Sequence, residues 1–212
     1  MTKAVQRLDI QDRYALFFDI CSSSTILEDL ILTNNIREMR NLLIRLKKFL
    51  QTESQTHGYE VYKFIGDGWI LLFPDNADGE SLIEFLETLC RTFEDGLYHS
   101  IIPKLQSTPT ILGLTFGIDK GPLVKLIMLQ RTEYIGRALN VAARLQSAIK
   151  DKDNAPQYKI LFSKHAFQAL RLPAGFRKTQ AVTRTLRNIQ GGRKYECIKL
   201  RLKMGQQSRR VG

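Results

Sequence analysis

Two aspartates that adjoin apolar runs are the residues of this sequence with the clearest chemical potential. Asp19 closes the apolar run at residues 14–18, and Asp67 stands just before another at 69–73. Such runs predict buried strands, and a carboxylate at a strand end is held rigidly at the rim of a sheet. Two carboxylates on neighbouring strands can share two divalent cations, which suit phosphoryl transfer. Taken singly, each aspartate also has an ordinary interpretation as a strand end or hairpin residue.

A third segment, at 133–145, places an amide and a guanidinium on a predicted helix. Asn140 and Arg144 are four residues apart and would share one helix face. Arginine is a planar, permanent cation that can stabilise charge on a transferring phosphate, and Asn140 can hydrogen-bond a sugar oxygen. Standing alone, this pair would be interpreted as solvated surface residues.

The composition is that of one globular domain in a reducing compartment. A chain of 212 residues with 43% hydrophobic and 25% charged residues can build one good core. No apolar stretch approaches the ~20 residues that span a bilayer, and the first residues lack the apolar core of a signal peptide. Cys21, Cys90 and Cys197 form no disulfide framework, and the histidines form no zinc motif. We therefore expect a cytoplasmic protein with no membrane partner.

The net charge of +11 suits a polyanionic partner of some kind. Nucleic acid is one candidate, but the lysines and arginines are spread along the chain without a recognition motif. The basic residues at 40–48 lie in a segment of helical period and are interpreted as a solvated face. The same charge would attract a nucleotide. We expect no nucleic-acid partner, and a salt-dependent affinity for DNA or RNA would favour the alternative.

Short apolar runs alternate with segments of helical period along the chain. Strands are predicted at 14–20, 60–65, 69–73, 111–118, 123–129, 158–162, 179–189 and 195–200, and helices at 26–30, 36–50, 81–97, 135–149 and 163–170. Residues 119–122 are predicted to form a turn between two strands. The order fits an α+β fold with a ferredoxin-like core, a mostly antiparallel sheet and helices on one face. The domain is expected at 12–200, with an N-terminal extension at 1–11 and a basic, mobile tail at 201–212.

Four segments, taken in order, resemble the catalytic domain of the class III nucleotidyl cyclases, the adenylate and guanylate cyclases. They are Phe-Asp-Ile at 18–20 with the Ser/Thr run after it, Lys-Phe-Ile-Gly-Asp-Gly at 63–68, Phe-Gly-Ile-Asp-Lys-Gly at 116–121, and Ile-Gly at 135–136 with Asn-Val-Ala-Ala-Arg-Leu at 140–145. The resemblance spans about residues 12–200. It implies that a ribose 3′-oxygen attacks the α-phosphate of a nucleoside triphosphate, yielding a 3′,5′-cyclic nucleotide and pyrophosphate.

The resemblance also implies a metal site and a phosphate site. Asp19 and Asp67, with the backbone carbonyl of Ile20, would hold two ions per site, either Mn²⁺ or Mg²⁺. The triphosphate would lie against the backbone at a helix start, and the residues concerned are Cys21, Ser22, Ser23 and Ser24.

Other roles come from a second subunit in this family. Asn140 and Arg144 would orient the ribose and stabilise the transition state of the partner's site, which implies a head-to-tail homodimer with two sites. Arg187 matches the family's late basic residue on the phosphates. The loop that follows departs in length, so Arg193 and Lys194 are rival candidates.

Two positions match those that read the base in this family, Lys63 and Glu133. Adenylate cyclases typically combine Lys with Asp or Thr, and guanylate cyclases combine Glu with Cys or a similar small residue. The acidic residue that guanylate cyclases have at the first of these positions is replaced here by Lys63. Glu133 could reach toward a smaller, single-ring base, accept a hydrogen bond from adenine, or form a salt bridge with Lys63.

The short chain, with a Ser-rich stretch after Asp19, also looks like the stand-alone bacterial pyrimidine cyclases of anti-phage defence. These make cyclic UMP or cyclic CMP to trigger a separate effector. We therefore expect a cyclase that uses UTP or CTP, and no residue decides between these two. An adenylate cyclase that makes cyclic AMP is one alternative, and a catalytically inactive nucleotide-binding dimer is another.

Overall fold

An eight-stranded sheet flanked by helices organises the chain in the computed structural model, which describes residues 8–150, 155, 157–173, 175–176 and 178–204. The strands are β1 (Asp9–Ile20), β2 (Glu60–Ile65), β3 (Gly68–Pro74), β4 (Leu114–Met128), β5 (Arg131–Ile135), β6 (Lys159–Ser163), β7 (Thr179–Arg184) and β8 (Tyr195–Arg201). The helices are α1 (Ser23–Leu32), α2 (Ile36–His57), α3 (Gly79–Gly96), α4 (Arg137–Lys150) and α5 (Lys164–Ala169).

The strand order is β2-β3-β1-β4-β6-β8-β7, and β5 pairs with the far half of β4. The first four strands in this order, with the helices that connect them, form the ferredoxin-like core, in which β1 lies antiparallel to both β3 and β4. The β4–β6 pair is parallel, whereas β6–β8 and β7–β8 are antiparallel. The predicted α+β fold with a mostly antiparallel sheet is confirmed.

Helices cover both faces of the sheet, so the prediction that they lie on one face is wrong. Alternate residues of β1, such as Leu16 and Phe18, face a large core shared with α1, α2, α3 and α5. The intervening residue Ala15 faces the other way, where Ala138 and Ala142 of α4 pack on it and on β3. Strand residues alternate between faces, and in β3 both sets are buried, which explains its continuous apolar sequence.

Strand β4 runs without interruption through the segment predicted to be a turn. Gly121 and Pro122 pair with Arg13 and Asp12 of β1. Proline is tolerated here because the other side of β4 pairs with β6 before this point and with β5 only after it. The hairpin between β4 and β5 turns instead at Leu129 and Gln130, which both have positive φ.

The ends of the domain also differ from the prediction. β1 begins at Asp9, inside the segment expected to be an extension. In the expected tail, the amide of Leu202 donates to the Tyr158 carbonyl (2.8 Å), and that of Lys203 donates to Glu87 Oε1 (2.8 Å). Residues 202–204 therefore follow the domain surface, and the rest of the predicted tail lies outside the described residues. Within the described part of the chain, no helix is both long and apolar enough to cross a membrane.

Candidate active site

The structure brings Asp19 and Asp67 together. Asp19 lies one residue before the end of β1, and Asp67 lies in the tight turn between β2 and β3. Strand β3 pairs with β1. A side chain at Gly68 would overlap the carbonyl oxygen of Phe18, so glycine lets this turn sit directly against β1. Both carboxylates line one cavity of about 360 Å³, which we call the carboxylate pocket.

The carboxylate pocket is lined by the end of β1, by the β2–β3 hairpin around its turn, and by α4. The lining residues are Phe17, Phe18, Asp19, Ile65, Gly66, Asp67, Gly68, Trp69, Ile70, Ala143, Gln146 and Ser147. Trp69 stacks on the ring of Phe18, with centroids 5.3 Å apart. The two carboxylates therefore stand on rigid, packed backbone.

The donor set of this pocket fits an oxygen-loving divalent cation. Among the residues that the structure describes, no group of three or more His, Cys, Asp or Glu side chains could hold a metal ion. Mg²⁺ and similar ions are commonly held by one or two carboxylates together with substrate phosphates. Asp19 and Asp67 supply such a pair, and the carbonyl of Ile20 follows Asp19 in the chain.

Helix α1 begins directly after β1, beside the carboxylates. Its N-cap residue is Ser22, in the left-handed region (φ 57°), and Ser22 Oγ donates to the carbonyl of Ile111 (2.8 Å). The amide of Cys21 donates to the Gly113 carbonyl (2.9 Å), and the amide of Ile26 makes the first intrahelical bond. The amides of the first turn, Ser23 and Ser24 among them, precede that bond, as at the anion-binding start of a helix. The Cys21 amide is already committed to Gly113.

The other catalytic candidates lie in a separate part of the molecule, which we call the basic end (Asn140, Arg144, Arg187, Arg193 and Lys194). All five are exposed. The three cations of the loop at 185–194 line one cavity of about 700 Å³, so geometry keeps all three as phosphate candidates. Asn140 lines an adjoining cavity of about 520 Å³, to which the same loop contributes.

The two sets do not meet within one chain. Neither Asn140 nor Arg144 lines the carboxylate pocket, although α4 carries both and also forms a wall of it. Successive turns of one helix therefore line different cavities, Arg137 and Asn140 the adjoining one and Ala143, Gln146 and Ser147 the carboxylate pocket.

Lys63 and Glu133 contact each other directly, with Tyr62 as a third member. Lys63 Nζ and Tyr62 Oη both donate to Glu133 Oε2, at 2.7 and 2.6 Å. Of the three interpretations of Glu133, the salt bridge is the one present. The Lys63 ammonium, then the Tyr62 hydroxyl, hold the pKa of the Glu133 carboxyl below its usual value, and the same contact raises the pKa of Lys63.

This cluster ties β5 to β2 across the sheet. The ring of Tyr134 meets that of Tyr62 edge-on (5.2 Å), and its hydroxyl donates to Glu60 Oε2 (2.8 Å). The Tyr62 oxygen also accepts from the backbone amide of Tyr134 (3.0 Å). Tyr62, Tyr134 and Glu60 therefore fix where Glu133 stands.

Sequence reasoning missed Gln146 as a residue of the pocket. Its Nε2 donates to Thr115 Oγ1 (2.9 Å) and to Asp19 Oδ2 (3.4 Å). The sequence does carry a signal for it, because Gln146 is a polar residue beside Leu145 and Ile149 on the packed side of an amphipathic helix. Buried amides require partners, so such a position marks a polar contact inside the fold.

Solved structures similar to this chain include adenylyl and guanylyl cyclases, although no family model and no curated protein matches the sequence. The adenylyl cyclase CyaB from P. aeruginosa is similar over 92% of this chain and 96% of its own, with a TM-score of 0.68 and 17% identity. The guanylate cyclase domain of RhGC from Catenaria anguillulae, solved with GTP, is similar over 92% and 99%, with a TM-score of 0.61 and 16% identity.

A bacterial light-regulated adenylyl cyclase is also similar, over 92% of this chain, with a TM-score of 0.67 and 17% identity. This chain spans about half of that protein, 52% of its length. The chain therefore has the fold of the catalytic domains of class III adenylyl and guanylyl cyclases.

Proposed function

We propose that this chain is a nucleotidyl cyclase that converts a nucleoside triphosphate to a 3′,5′-cyclic nucleotide and pyrophosphate. One observation carries the proposal. On a cyclase fold, Asp19 and Asp67 share a pocket that lacks Asn140 and Arg144, whereas Asn140 stands exposed beside a basic loop and Arg144 is exposed on the same helix. Each region supplies what the other lacks for phosphoryl transfer.

The carboxylate pocket would hold the ions and the phosphates. Bound to Asp19 and Asp67, two Mn²⁺ or Mg²⁺ ions would activate the attacking oxygen and neutralise the leaving group. The amides of Ser23 and Ser24 at the start of α1 would cradle the triphosphate. The rigidity of β1 and of the β2–β3 turn keeps the two carboxylates in place without reorganisation.

The basic end would complete the pocket of a second copy. A head-to-tail homodimer would bring Asn140 to the ribose and the Arg144 guanidinium to the charge that develops on the α-phosphate. Arg187, Arg193 or Lys194 would contact the phosphates from the same side. Exposed apolar residues at the tip of the β4–β5 hairpin support a self-contact, since Leu129 is 94% exposed and Ile127 and Met128 are exposed beside it.

We propose that Tyr62, Lys63 and Glu133 form a base-reading cluster that takes a pyrimidine. Glu133 already accepts two hydrogen bonds, from Lys63 and from Tyr62, so the cluster offers a base chiefly the remaining N–H donors of Lys63. Those donors suit the carbonyl oxygens of uracil and cytosine. The phenol of Tyr62 packs beside Lys63, 5.2 Å from Nζ to the ring centre, and would narrow the space left for a base.

We place this activity in anti-phage defence, on the resemblance of the sequence to stand-alone pyrimidine cyclases. The product, cyclic UMP or cyclic CMP, would act as a second messenger on a separate effector protein. The alternative of an adenylate cyclase keeps the same catalytic residues and changes only the base. It is favoured by the adenylyl cyclases among the structures with this fold.

The test is to incubate the purified chain with equal ATP, GTP, CTP and UTP and with Mn²⁺, and to identify the products by mass. We expect cyclic UMP or cyclic CMP, and none from Asp67→Ala. Cyclic AMP alone would establish the adenylate alternative. The absence of any cyclic product, with nucleotide still bound, would instead favour the inactive nucleotide-binding dimer.

A further inference from the structure

We propose that Gln146 is a positioning residue that orients the carboxylate of Asp19 for cation binding. This inference rests on the proposed function, because it assigns Asp19 to a divalent ion. It adds a residue that lies outside the four segments of the sequence resemblance, on the side of α4 that faces its own chain's pocket.

The geometry of the amide identifies its role. Gln146 is 8% exposed and Thr115 is fully buried, so their 2.9 Å hydrogen bond is an anchor inside the fold. The same nitrogen lies 3.4 Å from Asp19 Oδ2. An NH₂ group has two hydrogens for these two acceptors, and an ionised carboxylate can only accept. The nitrogen of the amide, rather than its oxygen, must therefore face Asp19.

The backbone that carries Gln146 is pressed against β4. A side chain at Gly117 would collide with the carbonyl of Ala142 and with the backbone amide of Gln146. Glycine at this position brings α4 to within van der Waals contact of the strand that pairs with β1. The amide of Gln146 consequently approaches Asp19 from a fixed platform, as a side chain that supports a metal ligand must.

The same helix connects the two regions of the proposed site. Asn140 and Arg144 stand on the exposed side of α4, and Gln146 reaches from its packed side to Asp19. One helix therefore carries both the residues proposed for a partner's site and the residue proposed to orient Asp19.

The experiment measures Mn²⁺ binding instead of turnover. Trp69 is the single tryptophan of the chain and lines the carboxylate pocket, so quenching of its fluorescence reports an ion bound there. The paramagnetic resonance signal of unbound Mn²⁺ gives the dissociation constant. The proteins compared are the wild type, Asp19→Asn, Gln146→Met and Gln51→Met, the last being the same change at an exposed glutamine of α2.

We expect Gln146→Met to bind Mn²⁺ about tenfold more weakly, because bonds that support a ligating carboxylate are commonly worth 10–100-fold in affinity and 3.4 Å is a long bond. Gln51→Met should bind as the wild type does. Thr115→Val keeps the glutamine but removes its anchor, and it should weaken binding by a smaller factor. This variant tests the inference even where Gln146→Met does not fold.

Two results would overturn the inference, and they are distinguishable. Wild-type Mn²⁺ affinity in folded Gln146→Met and Thr115→Val, with binding lost in Asp19→Asn, would leave Gln146 as packing only, even if its melting temperature fell. Equal binding by Asp19→Asn and the wild type would instead remove the metal role of Asp19. The proposed function would then fail, and this inference with it.

Discussion

The carboxylate pocket and the basic end are built in opposite ways. The pocket stands on paired strands, a turn pressed against β1 and the packed side of a helix, and its two acids are fixed by backbone. The basic end consists of an exposed helix face and a loop whose residues Asn188 and Gly191 have positive φ. The pocket brings its two carboxylates together within one chain, whereas under the proposed function the basic end acts on the pocket of a second copy. A packed region and an exposed region thus occupy separate parts of one molecule.

The largest expected effect comes from the removal of a carboxylate from the carboxylate pocket. We predict that Asp67→Ala lowers turnover by about 10³-fold or more, because the ions it helps to hold supply several kcal/mol of charge stabilisation. Turnover and molar mass in solution are the measurements. The matched control is Asp75→Ala, an exposed aspartate paired with Lys120. Full turnover in Asp67→Ala, with an unchanged oligomer, would end the assignment of Asp67 to a metal.

A mixing experiment tests whether the carboxylate pocket of one chain acts together with the basic end of another chain. We predict that Asp19→Ala and Arg144→Ala are each inactive alone and regain about a quarter of wild-type activity when mixed equally. Random pairing makes half the dimers mixed, and each mixed dimer has one intact site of two. The activity of re-equilibrated mixtures is the measurement. If both variants fold and exchange subunits but the mixture stays inactive, the site does not cross the interface.

The cluster of Tyr62, Lys63 and Glu133, which we propose reads the base, sharpens the comparison at a smaller scale. We predict that Tyr62→Phe changes the ratio of pyrimidine to purine product by about tenfold, because Glu133 loses one of its two donors and gains freedom to accept from a base. Product ratios from the four-nucleotide mixture are the measurement. Tyr98→Phe, at an exposed tyrosine far from the cluster in sequence, is the control. An unchanged ratio would separate Tyr62 from base selection.

The smallest expected effect is that of pH on this cluster. Lys63 lowers the pKa of Glu133 from its usual 4.5, so the carboxylate and its hydrogen bonds persist at and below that value. A carboxyl with a depressed folded-state pKa contributes stability above its unfolded pKa and loses it as the pH falls through the folded pKa. We predict that the product ratio stays constant from pH 8 to pH 5 in the wild type. A change of ratio within that range would place another titrating group at the base.

The sequence predicted the strands and the turn that carry Asp19 and Asp67 well, and it predicted the course of β4 and β5 poorly. Apolar runs and glycines around Asp19 and Asp67 are strong strand and turn signals, and both acids lie where those signals put them. The missed strand β5 follows a turn of Leu129 and Gln130, residues that rarely adopt positive φ, so no Asn-Gly signal announced it. Pro122 suggested a break in the strand. Whether a strand accepts a proline depends on which strands lie beside it at that point, and the sequence does not show this. Gln146 was missed for the same kind of reason, since its partners Thr115 and Asp19 are remote in sequence.

The uninterrupted course of β4 has a consequence for how this chain can change over evolution. Its 15 residues run from Leu114 beside the carboxylate pocket to Met128 at the hairpin tip, about 50 Å at the usual rise per residue. A substitution at one of its exposed positions changes only one side chain. The loss or gain of a single residue, however, would turn every later side chain to the opposite face. Insertions and deletions should therefore accumulate in the loop at 185–194 and be absent from β4, so the basic loop is the part of the site free to vary in length.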